Sequence, residues 1–235
     1  MKPAPAANAL KLALLITALF PSAVQAEGST CFGTTSAGHL EAGVQLPASG
    51  ENFTGYSTLA RWAGRTYVHS DVRDIVVAAY ETLEAEHPEK VYKYAETGFR
   101  EGGEFSPHKT HRNGLSVDFM TPVVDDAGHS VHLPTTPFNK FGYNIEFDDI
   151  GHYEGMSIDY DAMAAHIVAL HKQAISRGFD VWRVIFDPEL QAPLYNTQYS
   201  DYLRQNIEFS ARRSWVRHDE HYHVDFEVPC QQTGR

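Results

Sequence analysis

The sequence predicts an α+β fold, an antiparallel sheet flanked by helices. Two segments repeat apolar residues at helical spacing, and others alternate apolar and polar residues or run β-branched. The two kinds are interspersed along the chain rather than strictly alternating, which favours α+β over a parallel βαβ sheet. With 235 residues, 43% of them apolar, the chain is long enough to bury a full core, so disorder and fibrous structure are excluded.

Residues 1–26 read as a leader. Lys2 and Lys11 precede an apolar run from Leu12 to Phe20, and Val24 and Ala26 place small residues at the −3 and −1 positions of a cleavage site after Ala26. The run is short for a bilayer span. No later segment approaches membrane length, so residues 27–235 are expected as a single exported domain without a membrane span.

Residues 27–66 are rich in Gly, Ser and Thr and read as an irregular lead-in with turns at Gly50 and Gly55. Val72, Ile75, Val76, Ala79 and Leu83 form one stripe of a helix from Ser70 to Glu86, capped by Ser70 and ended by His87 and Pro88. Lys90 to Phe99 alternates weakly, as a strand. Leu115, Val117 and Phe119 alternate with Ser116, Asp118 and Met120, the period of a half-buried strand. Residues 121–156 lack periodicity and read as a long, functional loop excursion. Tyr160, Met163, Ile167, Leu170 and Ala174 mark a second helix, started by Ser157 or Asp159 and closed at Gly178. Val181 to Phe186 reads as a buried strand, and Pro188 to Gln205 as helical pieces. His221 to Val228 alternates again, with His221, His223, Asp225 and Glu227 on one face.

The formal charge of −11, without Lys/Arg clusters, disfavours nucleic acid as a partner. Two cysteines, Cys31 and Cys230, most simply pair in an oxidising compartment; the alternative, a nucleophilic thiol, needs a histidine partner and an electropositive setting.

Thirteen histidines are present, and five of them stand in two groups. His108 and His111 precede Asp118; His218, His221 and His223 open the last strand. Two imidazoles and a carboxylate suit Zn²⁺, and three protein ligands leave a fourth position open, as in catalytic zinc sites. A further histidine beside the metal could accept a proton or stabilise an oxyanion. The competing reading of either group alone is surface decoration. The sequence has no Gly-x-Ser-x-Gly elbow, no His-Glu-x-x-His and no phosphate-binding glycine loop.

The stretch Ser106 to Asp118, with His108, His111 and Gly114, resembles the first motif of the penicillin-insensitive murein endopeptidases, relatives of lysostaphin-type enzymes, D-Ala-D-Ala metallopeptidases and the hedgehog fold. Trp215 to Val224, with His218, His221 and His223, resembles that family's closing His-x-His segment. Val184 to Pro188 is similar to its strand-then-proline segment, and Cys31 and Cys230 stand near its terminal cysteines. The resemblance is sharp at both histidine motifs, loose elsewhere, and extends from Cys31 to Cys230.

This resemblance implies a hedgehog/D-Ala-D-Ala metallopeptidase-like fold with His111, Asp118 and His223 as zinc ligands, and His108 as a nearby histidine able to approach the metal. It implies His221 as catalytic base and His218 as a partner that positions water or substrate. Asp149 and His152 resemble a second Asp-x-x-His feature tied to an additional metal, with a solvated loop pair as the alternative. The 121–146 stretch has no counterpart in the resemblance, and its place after the ligand strand suits a rebuilt substrate groove. The implied activity is periplasmic, zinc-dependent hydrolysis of peptide cross-links in peptidoglycan. The alternatives are a D,D-carboxypeptidase or dipeptidase acting on uncross-linked stems, and a silent wall-binding module.

Overall fold

The computed structural model describes Met1, residues 28–214 and residues 216–233. The leader read over residues 1–26 lies outside the described residues save Met1, as does Trp215 of the second histidine motif.

A five-stranded sheet carries the fold. Its strands are β4 (Phe53–Gly55), β6 (Tyr92–Tyr94), β7 (Ser116–Met120), β12 (Asp180–Ile185) and β13 (His221–Glu227), in the spatial order β12-β13-β7-β6-β4. All pairs are antiparallel except β4 with β6, so the sheet is mixed rather than wholly antiparallel. The lead-in is more regular than its composition suggests. It forms a hairpin, β1 (Thr30–Thr34) with β2 (Ala37–Glu41), and the strand β3 (Val44–Gln45), which pairs with β5 (Tyr67–Val68). The short helix α1 (Thr58–Trp62) follows β4.

Two long helices cover one face of the sheet: α2 (Ser70–Glu86) and α3 (Tyr160–Ser176). They pack on each other, and Tyr80 from α2 and His166 from α3 both meet the Phe119 ring of β7. Phe119 pairs across the ladder with Tyr222, and Val117 with Val224, so these four form the apolar floor beneath the helices. α2 is capped by His69, which accepts from the Asp71 amide, rather than by Ser70; the Ser70 hydroxyl accepts instead from the Ser29 amide. α3 starts at Asp159, whose carboxylate accepts from the Ala162 amide, and stops before Gly178 at φ +79°. The helical pieces after Pro188 end in α4 (Ser200–Asn206).

Ser116, Asp118, His221, His223 and Asp225 stand on the opposite face, because antiparallel partners share a side: His223 pairs with Asp118 and Asp225 with Ser116. Every residue of β7 is buried, which a half-buried alternation does not anticipate. The cover comes partly from the stretch read as a loop. That stretch holds β8 (Val123–Asp125), β9 (Ser130–Val131), β10 (His152–Tyr153), and a kinked 3-10 turn at Pro137–Gly142; with β11 (Met156–Ile158) the strands make a second sheet. Strands of two or three residues are too short to show a period.

Cys31 and Cys230 are joined, tying β1 to the chain after β13 across a sequence separation of 199. Gly114, before β7, sits at φ +77°, and a Cβ there would come within 2.7 Å of the His69 amide nitrogen, so the chain reaches β7 only through glycine. No helix among the described residues is long and apolar enough to cross a membrane.

Candidate metal centre

Asp118 is the hub of the polar face. It lies in mid-β7 with no exposed surface, and its backbone is locked to the chain after β6: the Ala95 amide donates to its carbonyl and its own amide donates to Glu96. Four imidazoles surround its carboxylate. His223 Nδ1 donates to Oδ1 at 2.8 Å and His111 Nε2 lies 3.2 Å from the same oxygen. His221 Nε2 and His108 Nδ1 stand 3.7 Å and 3.9 Å from Oδ2. Burial penalises the charge, but the imidazoles, His111 and His221 foremost, outweigh it and hold the Asp118 pKa well below the carboxylate range.

His111 is the residue most plainly in want of a ligand. It is 1% exposed, and its Nδ1–H donates to the Thr97 carbonyl at 3.1 Å, which fixes the tautomer and leaves a lone pair on Nε2. That atom has no hydrogen-bond partner in the structure, although it faces the Asp118 carboxylate. A buried acceptor aimed at a carboxylate is costly unless a cation sits between them. His108, His111 and Asp118 each offer a donor atom within 4.8 Å of one another, and this group could hold a metal ion. His223, expected as a ligand, lies outside this group and is hydrogen-bonded to its Asp118.

His223 is oriented from behind. Its Nε2–H donates to Asp225 Oδ1 at 2.8 Å, and Asp225 accepts in turn from Ser116 Oγ at 2.6 Å and Arg183 Nε at 2.7 Å. Burial lowers the His223 pKa, but Asp225 and Asp118 outweigh it and hold the imidazole at about 10. A carboxylate behind a ligating histidine is the usual device for fixing its ring and raising its basicity.

His108 is held the same way by Glu96, whose carboxylate also takes the Tyr56 hydroxyl at 2.8 Å and the Arg65 guanidinium. Burial alone would raise the Glu96 pKa; His108 and Arg65 pull it down to about 2.

His221 and His218 form a second rank, with ring centroids 4.7 Å apart. His221 Nδ1 shares a 2.8 Å hydrogen bond with Glu220, so its Nε2 points towards Asp118. His218 donates from Nδ1 to the Val216 carbonyl at 3.0 Å, leaving its own Nε2 as acceptor. Burial pushes the His221 pKa down to about 4 and that of His218 to about 3, so both are neutral at pH 7. His218 and His111 both adopt positive φ, at +58° and +67°. Such backbone costs on the order of 1–3 kcal/mol at a non-glycine residue and concentrates at functional sites. At His218 it is held by the Asp187 amide, which donates to its carbonyl, and by Arg217, which bridges Asp187 and Asp219.

The groove before these residues has a volume of about 680 Å³. One wall comes from the 121–146 stretch, where the sequence suggests a rebuilt groove: Lys140, Phe141, Tyr143, Asn144 and Glu146 all line it. Tyr143 donates its hydroxyl to Asp118 Oδ2 at 3.0 Å.

All six histidine and aspartate candidates, His108, His111, Asp118, His218, His221 and His223, therefore stand together. Asp149 and His152 do not join them; both are exposed, and the metal-competent cluster among the described residues excludes them. Sequence reasoning missed Glu96, Tyr143 and Arg183, which carry no local motif. Asp225 was legible as a same-face neighbour of His223, without its role.

No curated protein matches the sequence. The model of the penicillin-insensitive murein endopeptidases does, over residues 31–234, a span that takes in both histidine motifs and the two cysteines, and the chain belongs to that family.

Proposed function

We propose that the chain is a zinc-dependent endopeptidase that hydrolyses peptide cross-links of peptidoglycan in the periplasm. Residues 1–26 would serve as the export leader, cleaved after Ala26, and residues 27–235 as one hedgehog/D-Ala-D-Ala metallopeptidase-like domain. The observation that carries the zinc reading is the orphaned Nε2 of His111, facing Asp118 beside His223.

His111, Asp118 and His223 would hold the metal, with His108 within reach as a fourth donor. A bound zinc supplies Lewis acidity towards the scissile carbonyl and lowers the pKa of water. The remaining steps belong to the chain. His221 accepts a proton at Nε2 and later returns it to the leaving amine. Burial pushes the Glu220 carboxyl up to about 8, and its hydrogen bond to Nδ1 orients the His221 ring with Nε2 towards Asp118. His218, neutral and beside His221, positions water or substrate, and Tyr143 offers a hydroxyl on the opposite side of the carboxylate.

Metal content of the purified mature protein, measured together with conversion of cross-linked muropeptides with and without chelator, tests this reading. One equivalent or more of zinc, with chelator-sensitive loss of dimers, is expected. Zinc without dimer loss moves the function to carboxypeptidase or silent binder, and absence of zinc from folded protein overturns the metal reading.

A further inference from the structure

The geometry points to Arg183 as a carboxylate-binding subsite in the groove, so that the peptide cleaved carries a free carboxylate within two residues of the scissile amide. The inference rests on the peptidase reading of the groove and names a feature of its substrate.

Three arginines line the groove, and two are spent. Arg65 gives Nη2 to Glu96 and the Ser106 carbonyl, and Arg217 gives Nη1 to Phe147, Glu146 and Asp219. Arg183 differs. Its Nε donates to Asp225, and among the described residues neither of its Nη groups makes a hydrogen bond or ion pair. The guanidinium is nonetheless fixed. It is anchored on a carboxylate with no exposed surface and lies 4.2 Å over the Trp182 ring, while its side chain stays 30% exposed. A fork immobilised through Nε presents Nη1 and Nη2 as a coplanar pair, the geometry that receives a carboxylate bidentately at low entropic cost.

Register gives the distance from the chemistry. Arg183 pairs with Asp225 and Ile185 with His223, so Arg183 stands one two-residue step along the strand from the ligand position. That step spans about 7 Å, and an extended peptide rises by roughly 3.3 Å per residue, which sets the carboxylate at one or two residues from the bond cut. The chain's charge of −11 gives no long-range attraction for an anionic peptide, so a fixed local cation is the means left for holding one.

The test compares cross-linked peptide dimers with free carboxylates against dimers amidated at the C-terminus or, separately, at an internal carboxylate. Wild-type enzyme should favour the free acid in kcat/KM by about tenfold or more over one of the two amides, which identifies the carboxylate. Arg183→Gln should bring that ratio near one. Any disturbance of His223 through Asp225 slows both substrates alike and cancels in the ratio. Equal treatment of acid and amides by wild type, or a preference kept by Arg183→Gln, overturns the subsite. Should wild type cleave no dimer, the endopeptidase reading falls on its own. Calorimetric binding of a stem peptide and its amides to wild type and Arg183→Gln then decides the subsite: a preference for the acid lost in the variant supports it, and equal binding overturns it.

Discussion

Asp118 and His223, 105 residues apart in sequence, are direct partners in the β7–β13 ladder, and a 2.8 Å hydrogen bond joins their side chains. His221, two residues earlier, lies on the same face but 3.7 Å from that carboxylate and tied to Glu220. The two histidines of one His-x-His thus have different surroundings, and different losses are expected. His223→Ala should lose bound zinc. His221→Ala should keep zinc and lose turnover by roughly 10²–10⁴-fold, the range for a positioned acid–base. Metal analysis of both variants beside their kcat checks this, and equal zinc loss in the two would sink the division.

Asp225 does not line the groove, yet it holds His223 from behind. Asp225→Asn keeps the shape and weakens the acceptor. Zinc affinity or activity should fall about 10–100-fold, as for other carboxylates behind ligating histidines. Competition with a metallochromic chelator measures the affinity, and an unchanged value would remove Asp225 from the site.

Tyr143 ties the 121–146 stretch to Asp118 through one hydroxyl. Tyr143→Phe removes that donor while keeping the ring packed against Tyr56 and His221. Activity should drop by at least about tenfold with the fold intact by circular dichroism. Full activity would reduce the segment to a passive wall.

Far from the groove, His166 is enclosed between α3 and the sheet, and accepts at Nδ1 from the Tyr222 hydroxyl. Burial lowers its pKa to about 3, against 6.5 for the free side chain. Between those values the unfolded chain takes up a proton that the folded chain refuses. The His166 contribution is therefore complete above pH 6.5 and declines as pH falls towards 3, by up to about 1.4 kcal/mol per pH unit. Urea unfolding at pH 7, 5.5 and 4.5 should show that decline, and His166→Gln should make it shallower. An identical pH dependence in the variant would show that the imidazole takes up its proton in the folded state.

Much of this protein was written locally. Helical stripes at residues 70–86 and 160–176 and alternation at 116–120 and 221–227 are short-range patterns, because burial of one face imposes its period on neighbouring residues. Two cysteines in one chain have a single intramolecular pairing, and that pairing is present. The histidine groups also marked where the site lies, since both place imidazoles beside strands whose geometry aims them together. Tertiary structure alone decided the rest. It buried Asp118 on both sides, made the β4–β6 pair parallel, and brought Glu96 onto His108, Tyr143 onto Asp118 and Arg183 onto Asp225. These are contacts between distant segments. A single carboxylate, phenol or guanidinium in a short or irregular stretch has no period to betray its partner, and its role is fixed only when the sheet register and the packing of the 121–146 excursion set what faces it.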